Sequence, residues 1–187
     1  MTIPRNTDMT KSLLRTFAAA TPAQVLDGIR WYDKHTADID VMAEQLATPR
    51  DQVAGVVAAL SPRIQWSRNL QVARETILAF RAGMPISSVR GVFQTNVLKS
   101  YAILRGESDV LGGDKTRSFA RNLSGDTDAV TVDVWAMRAA MGFDKQSLTP
   151  KQYASIARSY RSAAARVGLT PRDFQAVVWC VERGRAN

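Results

Sequence analysis

The chain has 187 residues, 45% hydrophobic and 22% charged, a composition typical of a folded globular protein of one domain or of two small lobes sharing a core. Its single cysteine, Cys180, and single histidine, His35, exclude an internal disulfide, a Cys/His zinc site and a four-cysteine iron–sulfur site. No stretch reaches the roughly 18 consecutive apolar residues of a membrane span, and residues 1–14 lack the apolar run of a secretory signal. We therefore expect a cytoplasmic protein without a metal site or a cofactor.

The first half of the chain reads as a series of amphipathic helices. Thr-Pro pairs at 21–22 and 48–49 each precede an apolar pattern of helical period, as expected where threonine caps a helix and proline occupies its first turn. Between 53 and 60, apolar residues recur at the i, i+3, i+4, i+7 spacing of one helix face. Breaks fall at Ser61-Pro62 and at residues 83–85. We predict helices over 10–20, 22–35, 37–47, 49–60 and 66–82.

The second half continues in the same way. Thr-Pro pairs at 149–150 and 170–171 again mark helix starts, and Gln24 and Gln152 stand where a capping box requires them. Val130–Val132 is the only strand-like piece, and it is too short to found a sheet. We predict helices over 91–105, 114–123, 133–141, 150–167 and 171–183. The prediction for the whole chain is a single all-α domain, 1–187, of about ten helices.

The charge is unevenly distributed. The chain carries a net charge of +8, with eight basic and two acidic residues in 50–105, seven and two in 149–187, but two and five in 22–49. Concentrated lysines and arginines are typical of a surface that neutralises phosphates, so we expect a nucleic-acid partner. The alternative is that the charge serves solubility alone. The sequence does not separate DNA from RNA.

A glycine pair opens the helix predicted at 114–123. Gly112 and Gly113 precede Lys115 and Thr116, and such a turn directs backbone N–H groups outward from a helix N-terminus, where they can bind a phosphate. Arg117 and Arg121 follow one and two turns along the same helix. The alternative is an ordinary connection between two helices, with Lys115 a solvated residue of the first turn.

Asp133 directly precedes the apolar helix that begins at Val134. Aspartate is among the preferred helix N-caps, so a structural cap is one interpretation. A carboxylate at a helix N-terminus is also held ionised and in a fixed place, which suits a catalytic group. The two interpretations are compatible, and both stay open.

The combination of Gly113, Lys115-Thr116, Val132-Asp133 and the helix arginine Arg138 resembles the helix-hairpin-helix DNA glycosylases of the HhH-GPD superfamily. The resemblance implies an all-α fold of two lobes with a hairpin-like element at about 91–123. It implies double-stranded DNA as the partner, with the target base flipped out of the stack. It further implies that Asp133 stabilises the developing oxocarbenium ion or activates a nucleophile at C1′, and that Lys115 attacks C1′ in a bifunctional enzyme with lyase activity.

One further segment is a candidate DNA contact. Trp66 lies between Arg63 and Arg68, and an aromatic among arginines can stack on a base or enter a duplex. It can equally serve as a hydrophobic staple for the helix at 66–82. Residues 59–66 and 174–179 are similar to segments of small proteins from actinobacteria and their phages, which would place the protein in the host cytoplasm if it is phage-encoded.

Four functions remain open from the sequence. The first is a base-excision glycosylase that acts on a modified or damaged base. The second is a non-catalytic DNA-binding protein on the same scaffold, serving phage regulation, defence or counter-defence. The third is a phage enzyme of glycosylase-like fold that modifies a base without removing it. The fourth is an inhibitor that uses the basic face on an acidic host protein.

Overall fold

The computed structural model describes residues 3–107 and 109–184, and within these ranges it contains nine α-helices, one short 3₁₀ helix and no strand. The predicted all-α class is therefore confirmed. The helices are α1 (Asn6–Ala18), α2 (Pro22–Gln45), α3 (Arg50–Leu60), α4 (Trp66–Arg81), α5 (Gln94–Leu104), α6 (Asp114–Leu123), α7 (Val134–Met141), α8 (Pro150–Val167) and α9 (Pro171–Gly184), with the 3₁₀ helix at Ile86–Ser88.

The chain divides into two compact units, which we name by their place in the sequence. The terminal unit comprises the residues up to His35 together with those from Gly125 onward, and the central unit comprises Thr36–Ser124. The boundary at His35 falls inside α2, so α2 contributes residues to both units. Each unit has its own core of buried apolar side chains.

The central unit is built around α3. Every residue from Val53 to Leu60 is buried, and α4, α5 and α6 all pack against this helix. The small residues Ala54, Gly55 and Ala58 let the neighbouring helices approach closely, and Ile103 of α5 lies directly over Gly55. The all-round apolar character of α3 is thus explained by its central position, because a helix with no solvent face carries no polar stripe.

The terminal unit packs α1, α7, α8 and α9 around aromatic side chains. Tyr160 of α8 and Phe174 of α9 are fully buried, and the Phe174 ring stacks on that of Phe17 with centroids 5.2 Å apart. Helix α9 contacts α1, α7 and α8. Its stripe of Phe174, Val177, Val178 and Val181, predicted from the helical spacing, is buried throughout.

Three of the four predicted Thr-Pro caps are confirmed. Thr149 and Gln152 form a reciprocal capping box on α8, Thr21 and Gln24 make the same pair of bonds on α2, and Thr170 Oγ1 accepts from the Asp173 N–H at 3.1 Å. The cap at Thr48 is wrong. The Thr48 hydroxyl donates to Leu46 O and accepts from the Arg81 guanidinium, and α3 starts without a side-chain cap.

Several helix boundaries in the structure also differ from the predicted ones. The predicted helices 22–35 and 37–47 are one continuous helix, α2, because residues 34–37 contain neither proline nor glycine to interrupt the backbone hydrogen bonds. Helix α1 begins at Asn6, four residues before the prediction, and α5 begins at Gln94, three residues after it. Val130–Val132 is buried and forms no ladder with any described residue.

Gly28 of α2 lies against the backbone of α9. A Cβ there would lie 2.5 Å from Val177 Cα and 2.6 Å from Val177 N, both backbone atoms of α9. We expect Gly28→Ala to lower the free energy of unfolding by about 3 kcal/mol or more, since a backbone must move to admit the methyl group. Gly55→Ala is the matched control, because its Cβ would meet only the Ile103 side chain at 3.2 Å. Its stability, measured by denaturant unfolding, is expected to change by less than about 1 kcal/mol.

Candidate functional site

Asp133 is held at both oxygens of its carboxylate. Oδ1 accepts the backbone N–H of Ala136 at 2.8 Å and so caps α7, while Oδ2 accepts the indole N–H of Trp179 from α9 at 3.1 Å. The predicted N-cap is therefore confirmed. Asp133 is only partly buried. Two N–H donors from different helices stabilise the ionised carboxylate and fix its orientation.

The segment before Asp133 is fixed by a tyrosine. The Tyr153 hydroxyl donates to Val130 O at 2.8 Å and accepts the Val132 N–H at 3.0 Å, so one side chain satisfies two backbone groups of a buried segment that has no strand partner. The Tyr32 hydroxyl forms a hydrogen bond with the side chain of Thr131 in the same segment. These contacts determine where Asp133 enters α7.

The negative charge of Asp133 affects the pKa of two buried tyrosines, Tyr160 and Tyr32. Burial raises the pKa of Tyr160 well above its ordinary value, and the negative charges of Asp133 and Glu182 raise it further. Burial likewise raises the pKa of Tyr32, although its hydrogen bond to Thr131 opposes the effect. The Tyr160 hydroxyl donates to Ala136 O at 3.1 Å, beneath the first turn of α7. The tyrosines near Asp133, Tyr160 and Tyr32, are thus neutral and hydrogen-bonded.

Arg172 is a buried cation in the same unit. Its guanidinium pairs with Asp173 at 3.0 Å and with Asp33 at 3.3 Å, and it lies over the Tyr32 ring at 5.3 Å. Its backbone N–H is bonded to Thr127 O. One of the basic residues counted in 149–187 is therefore neutralised inside the unit and contributes nothing to a binding face.

Lys115, predicted as the second catalytic residue, lies in the central unit, whereas Asp133 lies in the terminal unit. It is exposed in the first turn of α6. The turn before it has the predicted form: Gly113 is the N-cap of α6 with φ of 81°, a conformation that favours glycine. No side chain of the described residues caps this end. The Lys99 ammonium lies 3.4 Å from the position that a Cβ on Gly112 would occupy.

The remaining predicted DNA contacts on α6 differ in how they are held. Arg117 pairs with Asp114 at 2.7 Å and donates to Leu111 O at 3.1 Å, so it fastens the glycine turn to its own helix. Arg121 is exposed one turn further along, and Thr116 is half-buried. All three lie in the central unit with Gly112 and Gly113.

The segment 63–68 is also in the central unit. Arg63 is exposed and has a left-handed backbone, with φ of 62°. Trp66 begins α4, packs partly against the central core, and donates its indole N–H to Asp38 Oδ2 at 2.9 Å. Arg68 pairs with Glu75 at 3.4 Å. Trp66 is therefore the first residue of α4 and not the residue before its N-cap, so it does not form the predicted staple, and its contact with a base stays a prediction.

Sequence reasoning missed the partners of Asp133. Trp179 stands 46 positions from Asp133, and Tyr153, which fixes the segment before Asp133, stands 20 positions away on another helix. Nothing in their local sequence distinguishes them from ordinary core aromatics. A surface cleft of about 510 Å³ in the terminal unit also escaped prediction; it is lined by Ser12, Thr16, Arg138, Ala139, Gly142, Phe143, Asp144 and Glu182.

Two general features complete the description of the site. Among the residues that the structure describes, no group of three or more His, Cys, Asp or Glu side chains is placed to hold a metal ion. Within the same ranges, no helix combines the length and the apolar character that crossing a membrane requires.

A family model described as "Family of unknown function (DUF7178)" matches residues 3–186. The match extends over both units and includes every candidate site residue. No curated protein and no solved structure matches the chain.

The buried tyrosines make the stability of the protein sensitive to alkaline pH. The folded state keeps Tyr160 protonated, while the unfolded chain ionises near the ordinary pKa of 10.0. Because the folded pKa is raised, the contribution of Tyr160 to stability is complete below about pH 10 and is lost as the pH rises above it. We expect Tyr160→Phe to cost about 1 kcal/mol at pH 7, from the lost hydrogen bond to Ala136 O, and to cost less as the pH rises beyond 10.

Denaturant unfolding at pH 7 and at several values above 10 measures this difference. Tyr153→Phe is a poor control because it breaks two backbone contacts, so Tyr101→Phe in the central unit is preferred; its hydroxyl donates to Met84 O at 3.0 Å. A cost for Tyr160→Phe that stays constant across the alkaline range would contradict the assignment.

Proposed function

We propose that this chain, which belongs to the DUF7178 family of unknown function, acts on a base in DNA through the carboxylate of Asp133. The observation that carries the proposal is that both oxygens of this partly exposed carboxylate accept a hydrogen bond, one from the Ala136 N–H and one from the Trp179 indole. Cleavage of a glycosidic bond passes through an oxocarbenium-like transition state. A preoriented anion stabilises such a developing positive charge.

Capping of α7 uses only one oxygen of the Asp133 carboxylate, and the second oxygen also satisfies the Trp179 indole N–H. At Asp133 an indole from another helix fixes the second oxygen as well, so the carboxylate cannot rotate to follow solvent. The additional contact supports a role in which the direction of the carboxylate matters, as it does for the HhH-GPD glycosylases that the sequence resembles.

The central unit would supply the contacts to the DNA backbone. The N-terminus of α6, which has no side-chain cap among the described residues, presents N–H groups to a phosphate, and Lys99 and Lys115 place cations beside this turn, while Arg121 lies in the last turn of the same helix. Arg63 and Arg68 would add further phosphate contacts. The ion pairs of Arg68 and Arg117 do not oppose this role, because surface pairs are worth at most about 1 kcal/mol and can be exchanged for phosphate.

Lys115 has a narrower role in the proposal. It is an exposed first-turn lysine, and base release through Asp133 does not require it. If the enzyme is bifunctional, the Lys115 amine attacks C1′, the base departs, and the resulting Schiff base permits cleavage of the strand. Substitutions of Asp133 and of Lys115 are therefore expected to affect different products, base release for Asp133 and strand cleavage for Lys115.

Asp133→Asn is the first test. Asparagine is also a good N-cap, but its NH₂ group would face the Trp179 indole N–H, so the free energy of unfolding should fall by about 1 to 3 kcal/mol. Loss of the charge should lower the rate of base release at least 100-fold. Both proteins are incubated with genomic DNA carrying diverse modified bases and with unmodified DNA, and released bases and digested nucleosides are identified by mass spectrometry.

Thr149→Ala is the matched control, since it removes a helix cap in the same unit at a cost of about 1 kcal/mol and should leave base release unchanged. Lys115→Ala should abolish strand cleavage while base release continues. A new nucleoside mass without a released base would instead identify a base-modifying enzyme. Intact DNA binding without any altered product would identify a non-catalytic DNA-binding protein, and an absence of DNA binding would leave the host-protein inhibitor.

The phosphate contacts can be tested separately at Arg63. Its left-handed backbone costs about 1 to 2 kcal/mol for a residue with a side chain, which glycine avoids, so Arg63→Gly should leave stability within about 1 kcal/mol. The same change should weaken DNA binding and reduce the slope of log K against log salt by about one. Arg105→Ala, which removes an exposed arginine paired with Glu107, is the control. An unchanged salt slope for Arg63→Gly would exclude Arg63 from the interface.

A further inference from the structure

The structure exposes a different aromatic residue from the one that the sequence indicated. Phe93, at the N-cap of α5, is 52% exposed and is the one aromatic among the large hydrophobic residues left exposed in the described ranges. Trp66, by contrast, is half-buried and bonded to Asp38. A single exposed apolar residue is ordinary on a protein surface, so the surroundings of Phe93 decide its meaning.

The loop that presents Phe93 is well fixed. Val89 is buried, and its carbonyl accepts from the Gln94 side chain at 2.8 Å across the loop. Val92 packs against the central core, while the Phe93 carbonyl accepts the first backbone bonds of α5. The backbone on both sides of Phe93 is therefore anchored while its ring stays in solvent. A ring presented in this way loses little conformational freedom when it binds a partner.

Two arginines lie on or against the loop that carries Phe93. Arg90 is exposed three residues before Phe93, and Gly91 between them has φ of 81°. An Arg68 guanidinium nitrogen lies 3.5 Å from the position that a Cβ on Gly91 would occupy, so Arg68 covers this loop while it also pairs with Glu75. A loop that carries both an exposed apolar ring and arginines matches a polyanion that also offers flat apolar faces, and stacked bases beside phosphates have that combination.

We propose that Phe93 inserts between bases of the bound DNA, with Arg68 and Arg90 on the flanking phosphates. This inference rests on the proposed function, because it takes DNA as the partner. It assigns to Phe93 the stacking role that the sequence had suggested for Trp66. The insertion unstacks a base step, and the arginines keep the protein in register on the backbone while the ring is inserted.

A short duplex with one 2-aminopurine beside a central mismatch reports the insertion, because the fluorescence of this base rises when it leaves the stack. Wild type should raise the fluorescence on binding. Phe93→Ala should abolish most of this rise and weaken binding at least fivefold, yet keep the salt slope of the wild type, since no phosphate contact is removed. Phe93→Trp should restore the fluorescence rise.

Leu98→Ala is the matched control, because Leu98 lies on the same helix, is 53% exposed, and is not an aromatic residue. Thermal unfolding of each variant shows that the fold is retained, as expected for changes at exposed side chains. If Phe93→Ala raises the fluorescence as the wild type does, or if Leu98→Ala lowers it equally, Phe93 does not insert and only this inference fails. If the wild type binds no DNA at any salt concentration, the proposed function fails together with it.

Discussion

The Tyr153 hydroxyl is the contact on which the arrangement around Asp133 depends. It bonds both Val130 O and the Val132 N–H, and so replaces the partner strand that this segment lacks. Without it, two buried backbone groups would have no acceptor or donor there, at a cost of about 1 to 3 kcal/mol each. The segment leads directly into Asp133, so the position of the carboxylate is set by a residue of α8 as much as by α7.

The same principle links the other aromatic residues of the terminal unit. Tyr160 bonds Ala136 O, Trp179 bonds Asp133 Oδ2, and Tyr32 bonds Thr131, so each aromatic side chain is buried or partly buried and also satisfies one polar group. Buried hydroxyl and indole groups are tolerated only when bonded in this way. The partly exposed carboxylate of Asp133 is therefore held by aromatic groups that cannot move without exposing apolar surface.

The arginines differ in how much of their charge is presented to solvent, and surface arginines paired with carboxylates occur in both units, as Arg138 with Asp144 shows for the terminal unit. In the terminal unit Arg172 is buried between Asp33 and Asp173, where its role is structural. In the central unit the arginines lie at the surface, and several carry a carboxylate partner. Net charge read from the sequence therefore overstates the cationic surface, because it counts the buried cation and the paired ones equally with those exposed to solvent.

The sequence by itself determined the all-α class, most helix starts and the cap at Asp133, because these depend on local spacing and on side chains within one turn of the backbone they cap. The tertiary structure alone decided that α2 is one helix, that Thr48 bonds Arg81 in place of capping α3, and that Phe93 is more exposed than Trp66. It also brought Trp179 to Asp133 across 46 positions. These outcomes depend on which residues meet from distant parts of the chain, and local spacing carries no record of that.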